Sequence, residues 1–361
     1  MKPTGVVPLS PNGNNAAGES SPSLSTSSFE QPVIATNGSR PFSDTYAEWD
    51  DPSTIAAIEE ALSQCGDVVR LEADAGFPRA LREACPDIVF NVAEGLGGAT
   101  RESYVPTFCE FWQIPYTGSD PLALATCLDK ARAKEVLLHH RVPTPDFMVA
   151  GDPRQLDRWA HFPCVVKPLH EGSSKGITSR SLCHTPNEAE AEVRRINLMY
   201  GEPAIVERFL GGREFTVAIL GGGAAARPLP LVELDFGTLP REAPPIYGYE
   251  AKWIWDRPES PLDIFKCPAE CDGALRDRIE EISLAAFRAL RCRDWARIDV
   301  RCDDEGSPHV LEVNPLPGVL PDPDANSCFP KAARAAGLSY EDVIKTVLHA
   351  GIERYGLIFA L

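Results

Sequence analysis

Two short segments, Arg297-Ile298-Asp299-Val300 and Leu311-Glu312-Val313-Asn314, constrain this chain more than any other feature. Each alternates apolar and polar residues, so Arg297 and Asp299 share one strand face, as do Glu312 and Asn314. Asp303-Asp304-Glu305-Gly306 lies between them as a turn signal, and the pair reads as an antiparallel hairpin. With Cys302 paired to His309, Asp299 falls opposite Glu312 and Arg297 opposite Asn314. Like charges facing each other across strands destabilise a sheet unless a cation lies between them. Two carboxylates and an amide oxygen are hard ligands suited to Mg²⁺, which normally shares its shell with nucleotide phosphates. A solvated sheet face alternates in the same way. The opposed carboxylates beside an arginine, followed by Pro315-Leu316-Pro317-Gly318, favour the metal reading.

Two further segments bear on phosphate and nucleotide. In Lys167-Pro168-Leu169-His170-Glu171-Gly172-Ser173-Ser174-Lys175-Gly176, a lysine ends an apolar strand and a small, Gly-rich loop follows. Such loops bring backbone N–H groups close to phosphate oxygens, and the lysine supplies positive charge. It is not a Walker A pattern, and by itself a Gly-Ser hairpin loop looks the same. Ala204-Ile205-Val206-Glu207-Arg208-Phe209-Leu210 is an apolar strand running into an irregular segment. Backbone groups there suit an adenine edge, with Glu207 as acceptor for its exocyclic amine; a plain core strand with a surface charge is the competing reading.

A phosphate-handling chain needs local positive charge, yet the 361 residues carry a formal charge of −17 with 35 lysines and arginines. That balance excludes a non-specific nucleic-acid binder and requires the basic residues to be concentrated at one site. No apolar run approaches bilayer-spanning length, and no basic start leads into an apolar signal core, so no membrane association and a cytoplasmic location are expected. The eleven cysteines include no CxxC pair and read as reduced thiols, mostly in apolar runs.

Residues 1–31 are rich in Ser, Asn, Gly and Pro and read as a disordered tail. An N-terminal α/β domain over 32–117 is expected, with strands at 32–35, 68–71 and 87–92 alternating with helices at 53–65 and 78–85, the pattern of a parallel α/β lobe. A central lobe over 118–213 carries helices at 129–140 and 188–200 and strands at 164–167 and 204–208. A C-terminal lobe over 214–361 carries strands at 215–220, 295–302 and 309–314 and helices at 272–291, 329–336 and 340–355. Residues 237–265 are dense in Pro, Gly and aromatics without a period, which reads as a lid.

The order of these motifs resembles the D-alanine–D-alanine ligase family of the ATP-grasp superfamily. The matching stretches are Ile114-Pro115-Tyr116-Thr117-Gly118-Ser119, Leu128-Asp129-Lys130, Val166-Lys167-Pro168 with Glu171-Gly172-Ser173-Ser174, Glu214-Phe215-Thr216-Val217 and Tyr249-Glu250-Ala251-Lys252. The two strands, Glu312 through Gly318, Phe329-Pro330-Lys331-Ala332 and Ala336-Gly337-Leu338-Ser339-Tyr340 complete them. The resemblance implies an ATP-grasp fold of three lobes. It also implies a ligase that joins amino-acid substrates through an acyl phosphate, with ATP and Mg²⁺ (or Mn²⁺) as cofactors and a homodimer as the assembly. By position, Lys130, Lys167, Ser174 and Lys252 look like phosphate contacts, Glu207 and Leu210 like the adenine hinge, and Glu214 like the ribose contact. Asp299, Glu312 and Asn314 match the metal ligands. Arg297 and the Gly318 amide match the oxyanion donors, and Ser173 belongs to the catalytic loop.

The departures gather where the family binds amino acids. Its opening Glu-Val-Ser turn is absent, and Glu48 is the nearest substitute for the ammonium-binding glutamate, with Asp50 and Asp51 as rivals. An acidic first turn of the following helix reads equally well. The family's His-Gly segment is replaced by Ala93-Glu94-Gly95, Trp253 stands where a lid tyrosine is usual, and Ser327 follows a longer, Pro-rich loop. An altered substrate pair is therefore expected. A true cell-wall D-alanine–D-alanine ligase and a non-catalytic ATP-binding sensor are the alternatives.

Overall fold

Aspartates open several helices. Asp51 accepts from the Thr54 amide at 2.8 Å ahead of Pro52, and Asp120 accepts from Ala123 at 2.9 Å ahead of Pro121. Proline loses nothing at a first helical position, where its missing N–H would have no partner anyway. The computed structural model describes residues 48–95, 97–256 and 262–358. The helices are α1 (Pro52–Ser63), α2 (Phe77–Ala84), α3 (Tyr104–Trp112), α4 (Pro121–Leu128), α5 (Lys130–His139), α6 (Pro186–Tyr200), α7 (Gly273–Ala289), α8 (Cys328–Ala335) and α9 (Tyr340–Tyr355). The strands are β1 (Phe147–Ala150), β2 (Cys164–Pro168), β3 (Leu182–Cys183), β4 (Ala204–Arg208), β5 (Glu214–Leu220), β6 (Arg227–Pro228), β7 (Val232–Leu234), β8 (Phe265–Lys266), β9 (Trp295–Cys302) and β10 (Pro308–Asn314).

The strands make two antiparallel sheets, ordered β1-β4-β2-β3 and β10-β9-β5-β7-β8, with β6 paired to β5. In the smaller sheet, Cys164, Val166, Ala204 and Val206 pack against Ala189, Val193 and Ile196 of α6. The alternate residues of β2 and β4 include Lys167 and Glu207, so the pleat turns both charges away from that core. In the larger sheet, Phe215 and Val217 of β5 meet Ile279, Ala286 and Phe287 of α7, whereas Ala218 and Leu220 meet Phe329 of α8 and Ile344 of α9. Both faces of β5 are thus buried, which is why its seven residues read as nearly continuous apolar sequence.

The N-terminal region departs from the expected parallel sheet. Residues 68–71 form no strand, and within 87–92 a single parallel bridge joins Val89 to Tyr116. Val69 is 70% exposed, while Val68 and Leu71 pack on separate core clusters without strand pairing among the described residues. The expected tail at 1–31 and strand at 32–35 lie outside the described residues. Helices α3 and α4 and strand β1, not anticipated from the sequence, flank the first motifs of the site.

Candidate active site

The β9–β10 ladder carries an irregularity that decides the site. Cys302 pairs with Pro308, not His309, and that register holds through Val300 and Val310. A bulge at Leu311 then advances β10 by one residue, so Glu312 faces Asp299 and Asn314 faces Arg297. A bulge inserts one unpaired residue and re-aims the side chains beyond it. Without it every side chain from 312 onward would point to the opposite face.

Arg297 donates to Asp299 through Nε at 3.1 Å and Nη2 at 3.0 Å, and Thr216 Oγ1 donates to Asp299 Oδ1 at 2.9 Å. Asn314 Nδ2 lies 3.1 Å from Asp299 Oδ2, and Glu312 sits 3.3 Å from Lys130 Nζ. Two carboxylates and an amide at one end of a strand pair are a donor set that suits Mg²⁺. Among the described residues no three His, Cys, Asp or Glu side chains converge on a metal-sized site. A divalent ion held by this pair therefore needs further oxygens from a phosphate or water.

Across the cleft, β2 of the small sheet supplies Lys167 and the neighbouring helix α5 supplies Lys130 and Lys134. Lys167 Nζ is 2.6 Å from one Glu207 oxygen and Lys134 Nζ is 2.9 Å from the other. Burial would raise the Glu207 carboxyl, but the two lysines outweigh it and hold it at about 2. Lys134 also donates to Thr144 Oγ1 and to the carbonyl of the bulged Leu311, both at 2.9 Å, so this buried cation ties the small sheet to the bulge itself. Leu210 is buried in the cleft wall, and Glu214 bonds Arg301 at 2.8 Å. The Arg301 guanidinium lies between the rings of Phe209 and Phe236, with centroids at 4.7 Å and 5.0 Å.

The Gly-rich loop closes the cleft from a third side. Ser173 and Ser174 both adopt left-handed backbone, at φ 48° and 59°. That conformation is costly for residues with a Cβ and clusters at ligand clamps. Gly172 donates its amide to Glu48 at 2.6 Å, and a Cβ there would approach the same oxygen to 2.7 Å. Only glycine permits that approach. A π-helical turn at Glu250–Trp255 lies over the loop. Lys252 Nζ donates to Ser173 Oγ at 3.3 Å, Trp253 Nε1 to the Ser173 carbonyl at 3.1 Å, and Ser174 Oγ to the Tyr247 carbonyl at 2.9 Å. Burial and the neighbouring Arg297 push Lys252 down to about 8.

Every residue singled out from the sequence except Asp51, which caps α1, lines one or both of two connected cavities that share Arg297, Ser173 and Gly318. Some are engaged in ways the sequence did not announce. Glu48 is ion-paired to Arg101 at 2.7 Å, and Ser327 Oγ bridges the Gly318 carbonyl at 3.1 Å and the Leu320 amide at 3.3 Å. Ser327 therefore braces its own loop. Lys134, Arg301, Arg101, Glu102 and Lys175 were missed. For the first two a signal existed: Lys134 is one helical turn from Lys130, and Arg301 shares the strand face of Arg297 and Asp299. Arg101 and Glu102 carry no such pattern.

A cleft between two antiparallel sheets, with Lys167 and the helix-borne Lys130 on one side and opposed carboxylates on the other, defines an ATP-grasp ligase. The fold matches the D-alanine–D-alanine ligase of Bacillus anthracis complexed with ATP at a TM-score of 0.65 and 23% identity, covering 84% of this chain and 94% of that one. It matches the VanG D-Ala:D-Ser ligase of Enterococcus faecalis at 0.58 and 24%, covering 73% of each. Residues 147–349 match the family described as D-ala D-ala ligase C-terminus. The D-alanine–D-alanine ligase of Bordetella avium is 34% identical over 81% of this chain and 87% of its own length. The uncharacterized protein y4sG of Sinorhizobium fredii is 34% identical over 88% and 92%. The chain belongs to the D-alanine–D-alanine ligase family.

Proposed function

We propose that this enzyme joins the carboxylate of one amino acid to the amine of a second through an acyl phosphate, releasing ADP and phosphate. The observation that carries this reading is the meeting of Arg297, the Asp299–Glu312 pair and the lysines Lys130, Lys167 and Lys252 around one cleft. A carboxylate is a poor acyl donor, and phosphorylation makes it a good one. Lys130, Lys167 and Lys252 neutralise charge on the transferring phosphoryl group. Asp299, Glu312 and Asn314 would hold Mg²⁺, which would supply further charge neutralisation at the phosphates. Arg297 and the Gly318 amide then stabilise the oxyanion formed as the amine attacks. The turn carrying Lys252 and Trp253 covers the Ser173–Ser174 loop and excludes water, which would otherwise hydrolyse the acyl phosphate.

Trp253 and Ser327 line the larger cavity and Glu94 the smaller, and these departures from the family's pattern support a substrate pair other than two D-alanines. The named ligase relatives favour D-alanine as the second reading. Phosphate release from ATP and Mg²⁺ across D- and L-amino acids, singly and in pairs, with mass analysis of the products, tests both. A condensed product from one mixed pair, absent with Asp299→Ala, supports the proposal. D-alanine alone sufficing restores the second reading, and no stimulation by any pair leaves an ATP-binding sensor.

A further inference from the structure

The smaller of the two cavities is lined by charges of both signs. Lys252 and Arg297 line it together with Glu48, Asp50, Glu94, Glu102 and Glu312, so its carboxylates outnumber its cations. Arg101 is committed to Glu48 at 2.7 Å, Lys175 to Glu171, and Lys130 to Glu312 at 3.3 Å. Asp50, Glu94 and Glu102 have no hydrogen-bond or ion-pair partner among the described residues. Glu102 is the clearest case, only 9% exposed and facing the cavity. Burial and Asp51 push Asp50 up to about 6, and burial with Glu102, Glu48 and Asp50 pushes Glu94 well above the carboxylate range.

Carboxyl groups at least half-buried without a paired cation either give up their charge or oppose folding, and such groups persist where function requires them. A metal cluster does not account for them, because no three of them converge on one point. Spread around a small chamber, they suit an extended organic cation. An amino acid with a neutral side chain brings one ammonium group, for which one free carboxylate suffices, and Glu48 is already taken by Arg101. Of Asp50, Glu94 and Glu102, the two left over match a substrate with more positive charge.

We propose that at least one substrate of this ligase is an amino acid or amine bearing a second cationic group, selected by Asp50, Glu94 and Glu102. This rests on the ligase reading above. The experiment compares ornithine and 2,4-diaminobutyrate, in both stereochemical forms, with the neutral analogues norvaline and 2-aminobutyrate. Phosphate release and product mass are read in wild type, Glu94→Gln and Glu102→Gln, with thermal melting of each protein. The expected result is a preference in kcat/KM of about ten-fold or more for the basic member of each pair, the scale of one charge contact. That ratio falls toward one in both variants. Glu102→Gln melts higher than wild type, and the basic amino acid raises the melting temperature of wild type more than that of the variant. Neutral analogues forming product as efficiently as basic ones, or variants losing both classes equally, overturn the inference while the ligase reading stands. No amino-acid-stimulated phosphate release from protein that binds ATP overturns both.

Discussion

Glu312 stands directly across the β9–β10 ladder from Asp299, two carboxylates brought face to face by the single extra residue Leu311. Their repulsion is tolerated because Arg297 holds one and Lys130 the other. In the proposed reaction the pair holds Mg²⁺. Asp299→Asn or Glu312→Gln should lower phosphate release by about 100-fold or more, the scale on which loss of one charge-stabilising group reads. EDTA should abolish turnover in wild type. Retention of activity within a few-fold in both variants would sink this assignment.

Lys134 is a stability prediction. Its ammonium is fully buried between Glu207, Thr144 and the Leu311 carbonyl. Removing one partner of a buried ion pair costs about 3–5 kcal/mol where the other charge is left uncompensated, and Lys167 at 2.6 Å keeps part of that compensation for Glu207. Lys134→Met should therefore show a loss toward the lower end in urea unfolding, and the losses of Lys134→Met and Glu207→Leu should be less than additive in the double variant. Additive losses would mean the two do not act as a pair.

His170 sets a pH dependence of stability. Its ring bonds Glu202 at 2.8 Å and Asp129 at 3.5 Å, and hydrogen bonds to Asp129 and Glu202 raise it to about 9 against the opposing effect of burial. A folded pKa above the unfolded value of about 6.5 stabilises the fold fully below that value. The contribution is lost as pH rises through about 9. Thermal melts should therefore decline between pH 7 and 9.5 in wild type, and the decline should flatten in His170→Gln.

The indole of Trp253 latches the lid to the Ser173 carbonyl at 3.1 Å. Trp253→Phe keeps the ring and removes the donor. If the latch excludes water, the variant should release more phosphate per molecule of condensed product, by a few-fold. An unchanged ratio of phosphate to product would show that the lid closes without this bond.

Strands β2, β4, β5, β9 and β10 and helices α5 to α9 were legible because their signals are local, whereas the short strands β1, β3, β6, β7 and β8 were not anticipated. The apolar periods of β5 and α7 and the alternation of β9 and β10 survive in any packing, and the predicted ends of most of these elements fall within two residues of those observed. The expected N-terminal sheet does not form among the described residues: residues 68–71 are β-like in composition, yet Val69 is 70% exposed while Val68 and Leu71 pack on separate core clusters. Strand propensity reports only fitness for a pleated, half-buried surface, and this segment pairs with no strand among the described residues.

The sequence by itself determined the family, the two charged strands and the Gly-rich loop, because spacing along a strand or turn dictates which side chains share a face. Tertiary structure alone decided which charges meet. The Leu311 bulge set the register of Glu312, Lys134 found Glu207 from another element, and Arg101 reached Glu48 across 53 positions. Coulombic compensation depends on distance in space and on burial. A chain read in order carries neither, so the carboxylate excess of the cavity becomes visible only once its cations are seen to be spoken for elsewhere.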